Sequence, residues 1–249
     1  MLVKIIACIP ARYDSTRFPA KVLADDTGKF LIRHTWEQAC KAELPEMVLI
    51  AADDERIATA AKSFGADCVL TRADHKSGTD RIAEAVEDID CEIIVNIQAD
   101  EPEIDPADID LLGRLLIDRP DAPMATLTAD FESAEQIADP NIVKVITDSS
   151  GRAIYFSRSP IPYNRAAGGI GHVHQYLRHI GIYAYRKDFL LKITSMPQSS
   201  LEKAEKLEQL RAVENGYTIL VAKARGVCEG IDTYEQYAEF VKRYQKQKG

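Results

Sequence analysis

The sequence predicts an α/β fold with a doubly wound, mostly parallel sheet. Three observations support this prediction. Short apolar runs have the length of buried strands, they alternate with longer amphipathic segments, and turn residues separate the two kinds of segment. The predicted strands of the first half lie at 3–9, 47–52, 68–71, 92–98 and 124–128. With 249 residues, 46% of them hydrophobic, we expect a single domain over 1–249 that carries one insertion.

Helical signals fill the segments between these strands. The apolar residues of 32–40 recur at helical spacing, and those of 57–64 form a second stripe that stops at Gly65. Asp105 and Pro106 have the residue types of an N-cap and a first-turn proline. We therefore expect helices at these three places, where they cover the faces of a parallel sheet.

The alternation of strand and helix stops in the second half of the chain. Predicted strands at 143–147 and 153–157 flank the turn-forming residues 148–151, which indicates a β-hairpin. A glycine-rich stretch follows before the next predicted strand at 180–185. We interpret 141–180 as the insertion.

The last third of the chain returns to helix and strand. We predict a helix at 201–213, a strand at 218–224 and a final helix from about residue 232. The charged residues of 201–213 have the spacing of a solvated helix face with i,i+4 pairs. A solvated face is therefore favoured over a binding site for this helix.

Composition and charge argue against several classes of partner. A nucleic-acid-binding surface needs an excess of lysine and arginine, whereas this chain has a net charge of −8. No run approaches the roughly 18 apolar residues that span a bilayer, and the N-terminal run lacks a signal-peptide pattern. We therefore expect a cytoplasmic protein without a membrane span. Wide spacing favours buried thiols over disulfides or zinc ligands for the five cysteines Cys8, Cys40, Cys68, Cys91 and Cys228.

The segment 11–21 follows the first predicted strand and carries three cations, Arg12, Arg17 and Lys21, together with the two aliphatic hydroxyl groups of Ser15 and Thr16. In an open parallel sheet, ligands bind beyond the carboxyl ends of the strands. This composition favours a polyphosphate-binding loop, with a solvated basic loop as the alternative. The glycine patterns of P-loop hydrolases and dinucleotide dehydrogenases are absent from the sequence, which disfavours both classes.

The segment 75–81 follows the third predicted strand and allows two interpretations. Ser77 and Asp80 match the S-x-x-D pattern of a helix N-cap. Gly78, which lies between two hydroxyl residues, also suits the close approach of a planar nucleobase. The residue pattern alone supports both interpretations equally.

Two adjacent acids, Asp100 and Glu101, follow the fourth predicted strand. Mg²⁺ is typically held by one or two carboxylates together with substrate phosphates, so an acid beside a polyphosphate loop predicts a magnesium site. Asp232 is the candidate for the second carboxylate. Its alternative role is a helix cap, because Asp232 and Glu235 match a capping box.

Ordered motifs run along nearly the whole chain. They are Ile-Pro-Ala-Arg-Tyr at 9–13, Ser-Thr-Arg-Phe-Pro at 15–19 with Lys21, Thr-Arg-Ala-Asp-His at 71–75 with Ser-Gly-Thr at 77–79, Val-Asn-Ile-Gln at 95–98 with Asp-Glu-Pro at 100–102, Tyr-Phe-Ser-Arg at 155–158, Leu-Arg-His at 177–179, Leu-Glu-Gln-Leu-Arg at 207–211 and Gly-Ile-Asp-Thr at 230–233. Taken together, they resemble the 3-deoxy-manno-octulosonate cytidylyltransferase family, the CMP-Kdo synthetases.

This resemblance implies a fold and a reaction. The fold is similar to that of nucleotide-diphospho-sugar transferases, which is Rossmann-like, and the implied assembly is a homodimer in which 141–180 serves dimerisation and substrate binding. The implied reaction couples CTP to the acidic eight-carbon sugar 3-deoxy-D-manno-octulosonate (Kdo). It releases pyrophosphate and forms CMP-Kdo for lipopolysaccharide biosynthesis, with Mg²⁺ as the implied cofactor.

The resemblance also implies roles for individual residues. The implied catalytic residues are Lys21, Arg12 and Asp100, of which Arg12 and Lys21 hold the triphosphate. The implied nucleotide contacts are Arg12, Lys21, Ser77, Gly78, Thr79 and Gln98. The implied ligands of Mg²⁺ are Asp100 and Asp232. The implied contacts of the sugar acid are Arg17, Arg158, His179, Tyr183 and Gln209.

Two positions depart from the family pattern. Ala20 occupies the glycine position of a P-G-K segment, and Ala99 occupies the glycine position of Q-G-D-E-P. A methyl group at either place is expected to narrow the approach of phosphate or sugar to the backbone. The exact acid sugar therefore stays open, with 8-amino-Kdo or a sialic acid as alternatives to Kdo. Two separate alternatives are a nucleotidyltransferase for another sugar acid or alcohol and a non-catalytic nucleotide-sensing module.

Overall fold

The structure is a computed structural model that describes residues 3–15 and 17–248, and for 247 and 248 it describes the backbone alone. Thr16, which supplies one hydroxyl of the predicted polyphosphate-binding loop, lies outside the described residues.

The chain divides into two compact units. The first contains Met1–Asp110 and Cys228–Gly249, and the second contains Leu111–Val227. The segment 141–180 lies within the second unit. The single domain over 1–249 stays a prediction.

Strands and helices alternate through most of the described chain. The strands are β1 (Ile5–Ala11), β2 (Met47–Ala52), β3 (Asp67–Leu70), β4 (Ile93–Asn96), β5 (Met124–Asp130), β6 (Lys144–Thr147), β7 (Ala153–Ser157), β8 (Leu177–Arg186) and β9 (Ile219–Lys223). The helices are α1 (Leu31–Ala39), α2 (Glu55–Ser63), α3 (Gly78–Val86), α4 (Pro106–Asp118), α5 (Ala134–Ala138), α6 (Lys187–Ser195), α7 (Ser200–Glu205), α8 (Leu210–Glu214) and α9 (Tyr234–Lys248). Within the described residues, every helix falls short of the length and apolarity that a bilayer span requires.

The described part of the first unit contains a parallel sheet in the order β3-β2-β1-β4. β1 lies between two neighbours and is buried along most of its length, as its apolar sequence predicts. Pro10 lacks the N–H that a central strand position uses, and it lies beyond Cys8, where the pairing of β1 with β4 ends. The parallel sheet predicted for the first half is confirmed.

Short polar side chains begin the helices that follow β2, β3 and β4. A carboxylate or hydroxyl oxygen of Asp54, Ser77 and Asp105 accepts a backbone N–H in the first turn of α2, α3 and α4, respectively. These caps satisfy N–H groups that have no partner inside the helix. Both the cap at Asp105 and the cap at Ser77 agree with the sequence patterns.

The second unit mixes strand directions. β5 pairs with β8 in antiparallel and with β9 in parallel orientation. β6 and β7 form the predicted antiparallel hairpin, and β6 also pairs with β8. In the hairpin turn, the Asp148 carboxylate accepts the N–H groups of Ser150 and Arg152, and Gly151 has a φ of 77°. The start of β8 at Leu177, before the predicted 180–185, follows from this pairing with β6.

The single helix predicted at 201–213 is wrong. The structure has two short helices there, α7 and α8, because Lys206 adopts a left-handed conformation with a φ of 54° and ends α7. Ser199 and Glu202 form a capping box at the start of α7. α7 has six residues and α8 has five, so tertiary contacts rather than helix propensity must stabilise these two helices.

The predicted solvated face of this segment is also wrong. Glu202 and Arg211 form an ion pair whose side chains are only 5% and 8% exposed, with Arg211 Nη2 at 2.6 Å from Glu202 Oε1. Arg211 also donates to the carbonyl of Ile193 at 2.8 Å. A periodicity argument assigns charged residues to solvent, whereas here two charges compensate each other inside the unit.

The thiols only partly follow the sequence prediction. Cys8 and Cys91 are buried, Cys68 and Cys228 are partly buried, and Cys40 is exposed just after α1. All five are free. Cys40 therefore departs from the prediction of buried thiols, because the apolar stripe of α1 ends one residue before it.

Candidate active site

A cavity of about 330 Å³ lies in the first unit, where the loops after β1, β3 and β4 meet. Its volume is within the range of small-molecule sites, and its position is the edge of a parallel sheet at which ligands bind. The cavity is lined by Pro10, Ala11, Arg12, Lys21, Val22, His75, Lys76, Ser77, Gly78, Arg81, Gln98, Ala99, Asp100 and Asp232.

The segment 11–21 leaves β1 and returns to the same cavity. A hydrogen bond from the N–H of Ala20 to the carbonyl of Tyr13, 3.2 Å long, closes the loop. Arg12 is exposed at one side of the cavity, and Lys21 also lines it. The structure thus brings together the two side chains that are predicted to hold a triphosphate.

Ala20 occupies a strained position at the end of this loop. Its φ of 55° and ψ of 25° place it in the left-handed region, where a Cβ crowds the backbone. Its carbonyl accepts the N–H of Leu23 at 2.8 Å, so the conformation is held by the turn that begins at Lys21. A glycine would adopt the same backbone without strain, which is a physical reason for the family residue. Ala99 is not among the described non-glycine residues with positive φ.

The Lys21 ammonium lies between two carboxylates. Its Nζ donates to Asp100 Oδ2 at 2.5 Å, to Asp232 Oδ1 at 3.1 Å and to the carbonyl of Ile231 at 2.9 Å. The side chains of Lys21 and Asp100 are 11% and 24% exposed, whereas that of Asp232 is 44% exposed, so the contact with Asp100 is the better shielded from water. The aspartates come from distant parts of the sequence, and one cation holds them at the cavity.

The Asp232 carboxylate does not cap α9. Instead, Thr233 Oγ1 accepts the N–H of Gln236 at 3.3 Å, and Gln236 Oε1 accepts the N–H groups of Thr233 and Asp232. The capping box predicted for Asp232 and Glu235 is therefore wrong, because the Thr233–Gln236 pair takes that role. The Asp232 carboxylate faces Lys21 and also pairs with Arg17, whose Nη2 lies 2.9 Å from Oδ2.

Glu101, next to Asp100, is buried. Burial and, to a lesser extent, the negative charge of Asp100 together raise the pKa of Glu101 to about 8. Its Oε2 has no hydrogen-bond partner among the described residues. Glu101 is therefore mostly protonated at neutral pH, because its burial disfavours the charged carboxylate.

The N-terminus of α3 confirms the helix cap predicted in the 75–81 segment, and the nucleobase interpretation stays a prediction. The Ser77 hydroxyl oxygen accepts the N–H of Asp80 at 3.1 Å, and Ser77 also lines the cavity. A Cβ on Gly78 would lie 3.1 Å from Cγ of Pro10, so a larger side chain would crowd β1. Thr79 is buried inside α3 and does not line the cavity. Gln98, the other predicted nucleotide contact, lies in the lining.

Sequence reasoning assigned no role to Arg81, which also lines the cavity. Its side chain is 5% exposed, and it donates to Thr71 Oγ1 at 2.7 Å and to Asp53 Oδ2 at 3.3 Å. Lys76 and His75 line the cavity as well, and His75 bonds to the carboxylate of Glu84. His75 and Lys76 lie in the loop between β3 and α3, and that position was the available signal, because ligands bind beyond strand ends.

Two predicted sugar contacts, His179 and Tyr183, lie on β8 in the second unit. His179 Nε2 is 3.1 Å from Thr126 Oγ1, and the Phe156 ring meets the imidazole edge-on. Burial lowers the pKa of His179 to about 3, so the ring is neutral at neutral pH. Burial also raises the pKa of Tyr183, with a further contribution from Glu208. Both side chains are thus uncharged hydrogen-bonding groups.

Gln209, a third predicted sugar contact, carries a buried amide. The residue is 4% exposed, and its Nε2 has no hydrogen-bond partner among the described residues. Leaving a buried donor unpaired is costly, so such a group is suited to receive an acceptor from a ligand.

Arg158 is held by the backbone of the second unit. Its Nε donates to the carbonyl of Glu205 at 2.6 Å, and its Nη1 donates to the carbonyl of Pro140 at 2.9 Å. The carbonyl of Arg158 in turn accepts Nζ of the fully buried Lys144 at 2.5 Å. Arg17 and Arg158, both predicted to face the sugar acid, are therefore engaged with partners of their own.

A model of the family described as cytidylyltransferase matches residues 6–219. The chain belongs to the cytidylyltransferase family. Relatives of this cytidylyltransferase include the 3-deoxy-manno-octulosonate cytidylyltransferase of Solibacter usitatus, which is 51% identical over 93% of this chain and 91% of the relative. The protein of the same name from Syntrophotalea carbinolica is 47% identical over 94% of this chain and 95% of its own length.

Solved structures support the same family. The structure described as CMP:2-keto-3-deoxy-manno-octonic acid synthetase complexed with CTP has a TM-score of 0.92 and 40% identity to this cytidylyltransferase, and covers 98% of this chain and 99% of that one. The structure of a cytidylyltransferase from Leptospira borgpetersenii has a TM-score of 0.61 and 18% identity, and the match covers 96% of this chain and 85% of that one. At this identity the match supports the fold alone. The predicted α/β fold and the family resemblance are confirmed.

The cavity of this cytidylyltransferase combines cations with acids. Arg12, Lys76 and Arg81 line it together with Asp100 and Asp232. Arginine and lysine side chains beside a helix N-terminus stabilise phosphate groups, whereas carboxylate oxygens suit a hard divalent cation. The two sets side by side fit a polyphosphate whose charge is shared between the protein and a metal ion.

Proposed function

We propose that the chain is a CMP-Kdo synthetase, which transfers the cytidylyl group of CTP to Kdo and releases pyrophosphate. The observation that carries this proposal is the Lys21 ammonium between Asp100 and Asp232, at the cavity that Arg12 also lines. Relatives that carry the name of this reaction align with nearly the whole chain, which supports Kdo as the acceptor. Lipopolysaccharide biosynthesis is the process that would use the product.

In this proposal the nucleotide lies in the cavity of the first unit. Arg12 and Lys21 bind the triphosphate, and the N-terminus of α3 at Ser77 and Gly78 lies beside the cytosine. Gln98 is a further contact from the cavity wall, whereas Thr79 supports this helix turn from the buried side. Close packing of Gly78 against Pro10 keeps the α3 backbone near the end of β1, which supports a base held by backbone groups.

Mg²⁺ is the proposed cofactor. The carboxylates of Asp100 and Asp232 both contact the Lys21 ammonium, and their oxygens are hard donors. Such a pair fits an ion that takes its remaining ligands from water and substrate phosphates. A site with three protein ligands is not required, and the described residues contain no cluster of three or more metal-binding side chains. Asp100 and Asp232 would hold Mg²⁺, which would supply neutralisation of phosphate charge.

Positioning and charge neutralisation carry the proposed reaction. The anomeric hydroxyl oxygen of Kdo attacks the α-phosphorus of CTP, and a new P–O bond forms as the bond from the α-phosphorus to the bridging oxygen breaks. The hydroxyl proton leaves to solvent, and pyrophosphate departs in line. Lys21 exchanges the carboxylates for phosphate oxygens when nucleotide binds, and with Arg12 it neutralises the charge that develops on pyrophosphate.

The proposed sugar contacts are Arg17, Arg158, His179, Tyr183 and Gln209. The unpaired Nε2 of Gln209 and the neutral ring of His179 support a role in binding hydroxyl groups. The two arginines suit the carboxylate of the acid sugar, although each has partners in the structure that it would share with the ligand.

A substrate panel tests this function. Purified chain is incubated with CTP and MgCl₂ together with Kdo, 8-amino-Kdo or a sialic acid, and pyrophosphate release is measured while mass spectrometry identifies the product. We expect CMP-Kdo as the main product and loss of release when EDTA is added. Preference for another sugar would contradict Kdo as the substrate. Binding of CTP without any pyrophosphate release would instead favour a nucleotide-sensing module.

We further propose that the enzyme acts in the cytoplasm, where nucleoside triphosphates are available, and that it is a homodimer. The segment 141–180 in the second unit is the proposed contact, and Ile154 and Tyr163 within it are 53% and 70% exposed. Sedimentation velocity of the purified chain measures the assembly. A monomer at micromolar concentration would contradict the dimer.

A further inference from the structure

The residue that follows Arg12 is held at two points. The backbone N–H of Tyr13 donates to Asp53 Oδ1 at 2.8 Å. The guanidinium carbon of Arg56 lies 3.4 Å from the centroid of the Tyr13 ring, in the geometry of a cation–π contact. Backbone and side chain of Tyr13 are thus fixed separately.

Arg56 is itself fixed by Asp54. Asp54 Oδ1 accepts Nε of Arg56 at 2.7 Å, and Oδ2 accepts Nη2 at 2.6 Å, which is a bidentate pair. The hydrogen bond from the Arg56 guanidinium, assisted by the Arg56 backbone N–H, lowers the pKa of Asp54 to about 2. We call Asp53, Asp54 and Arg56 the Tyr13 clamp.

The clamp also contacts the wall of the cavity. The second carboxylate oxygen of Asp53 accepts Nη2 of Arg81 at 3.3 Å, and Arg81 lines the cavity. Asp53 is 12% exposed at its side chain, so this contact is shielded from water. One carboxylate therefore joins the loop that starts at Arg12 to the wall formed by α3.

We propose that the Tyr13 clamp positions the Arg12 backbone for triphosphate binding. Arg12 is exposed, and its side chain must be ordered when it contacts a ligand. A backbone fixed in advance on the next residue lowers the ordering cost of that contact. The clamp residues act through Tyr13 and are positioning residues. This inference rests on the proposed function insofar as the ligand of Arg12 is the triphosphate of CTP.

Arg56→Gln is the main test, because the Arg56 side chain is 59% exposed and substitutions at exposed positions usually change stability little. The matched control is Arg33→Gln, since Arg33 also pairs with a carboxylate, Glu37, and lies over a ring, Phe64, in the same unit. Calorimetry gives the Kd of CTP, pyrophosphate release gives KM for CTP and for Kdo, and thermal unfolding gives Tm.

We expect Arg56→Gln to weaken CTP binding about threefold, the size of an exposed cation–π contact, and to raise KM for CTP by the same factor. KM for Kdo and Tm should match those of Arg33→Gln. Arg56→Lys, which keeps a cation near the ring, should restore part of the affinity. Equal CTP affinity of Arg56→Gln and Arg33→Gln would overturn the proposal, as would a rise in both KM values with a lower Tm.

Substitutions at Tyr13 separate the ring from its hydroxyl group. Tyr13→Phe keeps the ring under Arg56 and should bind CTP like the unchanged protein, whereas Tyr13→Leu should resemble Arg56→Gln. If Tyr13→Phe loses as much affinity as Tyr13→Leu, the hydroxyl contacts the ligand and the clamp model is wrong. If no sugar supports pyrophosphate release but Arg56→Gln still weakens CTP binding, the proposed reaction fails and the clamp stands.

Discussion

At position 20, a methyl group lies on a backbone that favours glycine. Ala20 has a φ of 55°, and it precedes Lys21, the residue that bridges the two aspartates. The left-handed conformation costs an alanine about 1–2 kcal/mol relative to the usual regions, whereas glycine adopts it freely. Alanine in place of the family's glycine at position 20 is therefore expected mainly to lower the free energy of unfolding.

Ala20→Gly should raise the free energy of unfolding by about 0.5–1 kcal/mol, which is the relief of strain less the added entropy of an unfolded glycine. Urea unfolding measures the change. Ala99→Gly is the matched control, because Ala99 is buried and is not among the described positive-φ residues. There the same substitution should lower the free energy of unfolding. A change of the same sign at both positions would contradict this account.

His179 predicts a pH dependence of stability. Burial lowers its pKa to about 3 in the folded chain, whereas an unfolded histidine titrates near 6.5. Protonation therefore favours the unfolded chain, and the stabilisation that is present above pH 6.5 is lost as the pH falls from there toward 3.

His179→Gln should make the fall in the free energy of unfolding between pH 7 and pH 4.5 shallower, by up to about 1.4 kcal/mol per pH unit. The amide keeps a partner for Thr126 Oγ1, and the other groups around the ring, Phe156 and Tyr183, carry no charge in this range. Urea unfolding at several pH values gives the slope. His174→Gln, at an exposed histidine, is the control variant. Equal slopes for both variants would refute the assignment.

At the scale of elements, α7 and α8 depend on one buried ion pair. The two helices are short, and a left-handed residue, Lys206, separates them. Arg211 on α8 reaches Glu202 on α7 with two hydrogen bonds and also the end of α6 at Ile193. The pair thus joins three helices and sets the start of α8, where Gln209 lies.

Glu202→Gln should lower the free energy of unfolding by about 3 kcal/mol, because Arg211 would stay buried without a compensating charge. Chemical denaturation monitored by circular dichroism measures this. The control is Asp121→Asn, which breaks the more exposed pair with Arg119 and should change stability by less than about 1 kcal/mol. A loss at Glu202 no larger than the loss at Asp121 would show that the pair carries little of the stability.

At the scale of the whole molecule, the candidate site combines residues from both ends of the chain. Asp232 belongs to a C-terminal segment that is part of the first unit, and Ile231, Tyr237 and Phe240 of that segment pack with Leu31 in one apolar cluster. The cations of the site are local in a chain of net charge −8. Packing of the C-terminal segment therefore decides where the second carboxylate lies.

Asp100→Asn should lower kcat for pyrophosphate release by about a hundredfold or more, the range for loss of one charge-stabilising group. Lys21 keeps Asp232 and the Ile231 carbonyl as partners, so the fold should persist. Asp130→Asn is the matched control, because Asp130 pairs with Lys223 at 2.6 Å but is 55% exposed and lies in the second unit. Near-normal turnover of Asp100→Asn would refute the metal assignment.

Much of the fold was readable from the sequence, because strand and helix periodicity is a local property. The runs that became β1 and β2 are apolar throughout, and the caps at Ser77 and Asp105 depend on residues within one turn. The loop of Arg12 and Lys21 was placed at a strand end by the same local pattern.

The partners of polar groups were decided only by the tertiary structure. The sequence could not tell that Thr233 and Gln236 free Asp232 from capping, nor that Glu202 and Arg211 compensate each other in the interior. Periodicity along the sequence shows which positions are polar. The electrostatic energy of a charged side chain depends instead on the distance to an opposite charge and on its exposure to water, and both are set by the tertiary structure. The sequence thus determined the fold class, the family and the residues available for chemistry, while three-dimensional packing determined which of them meet.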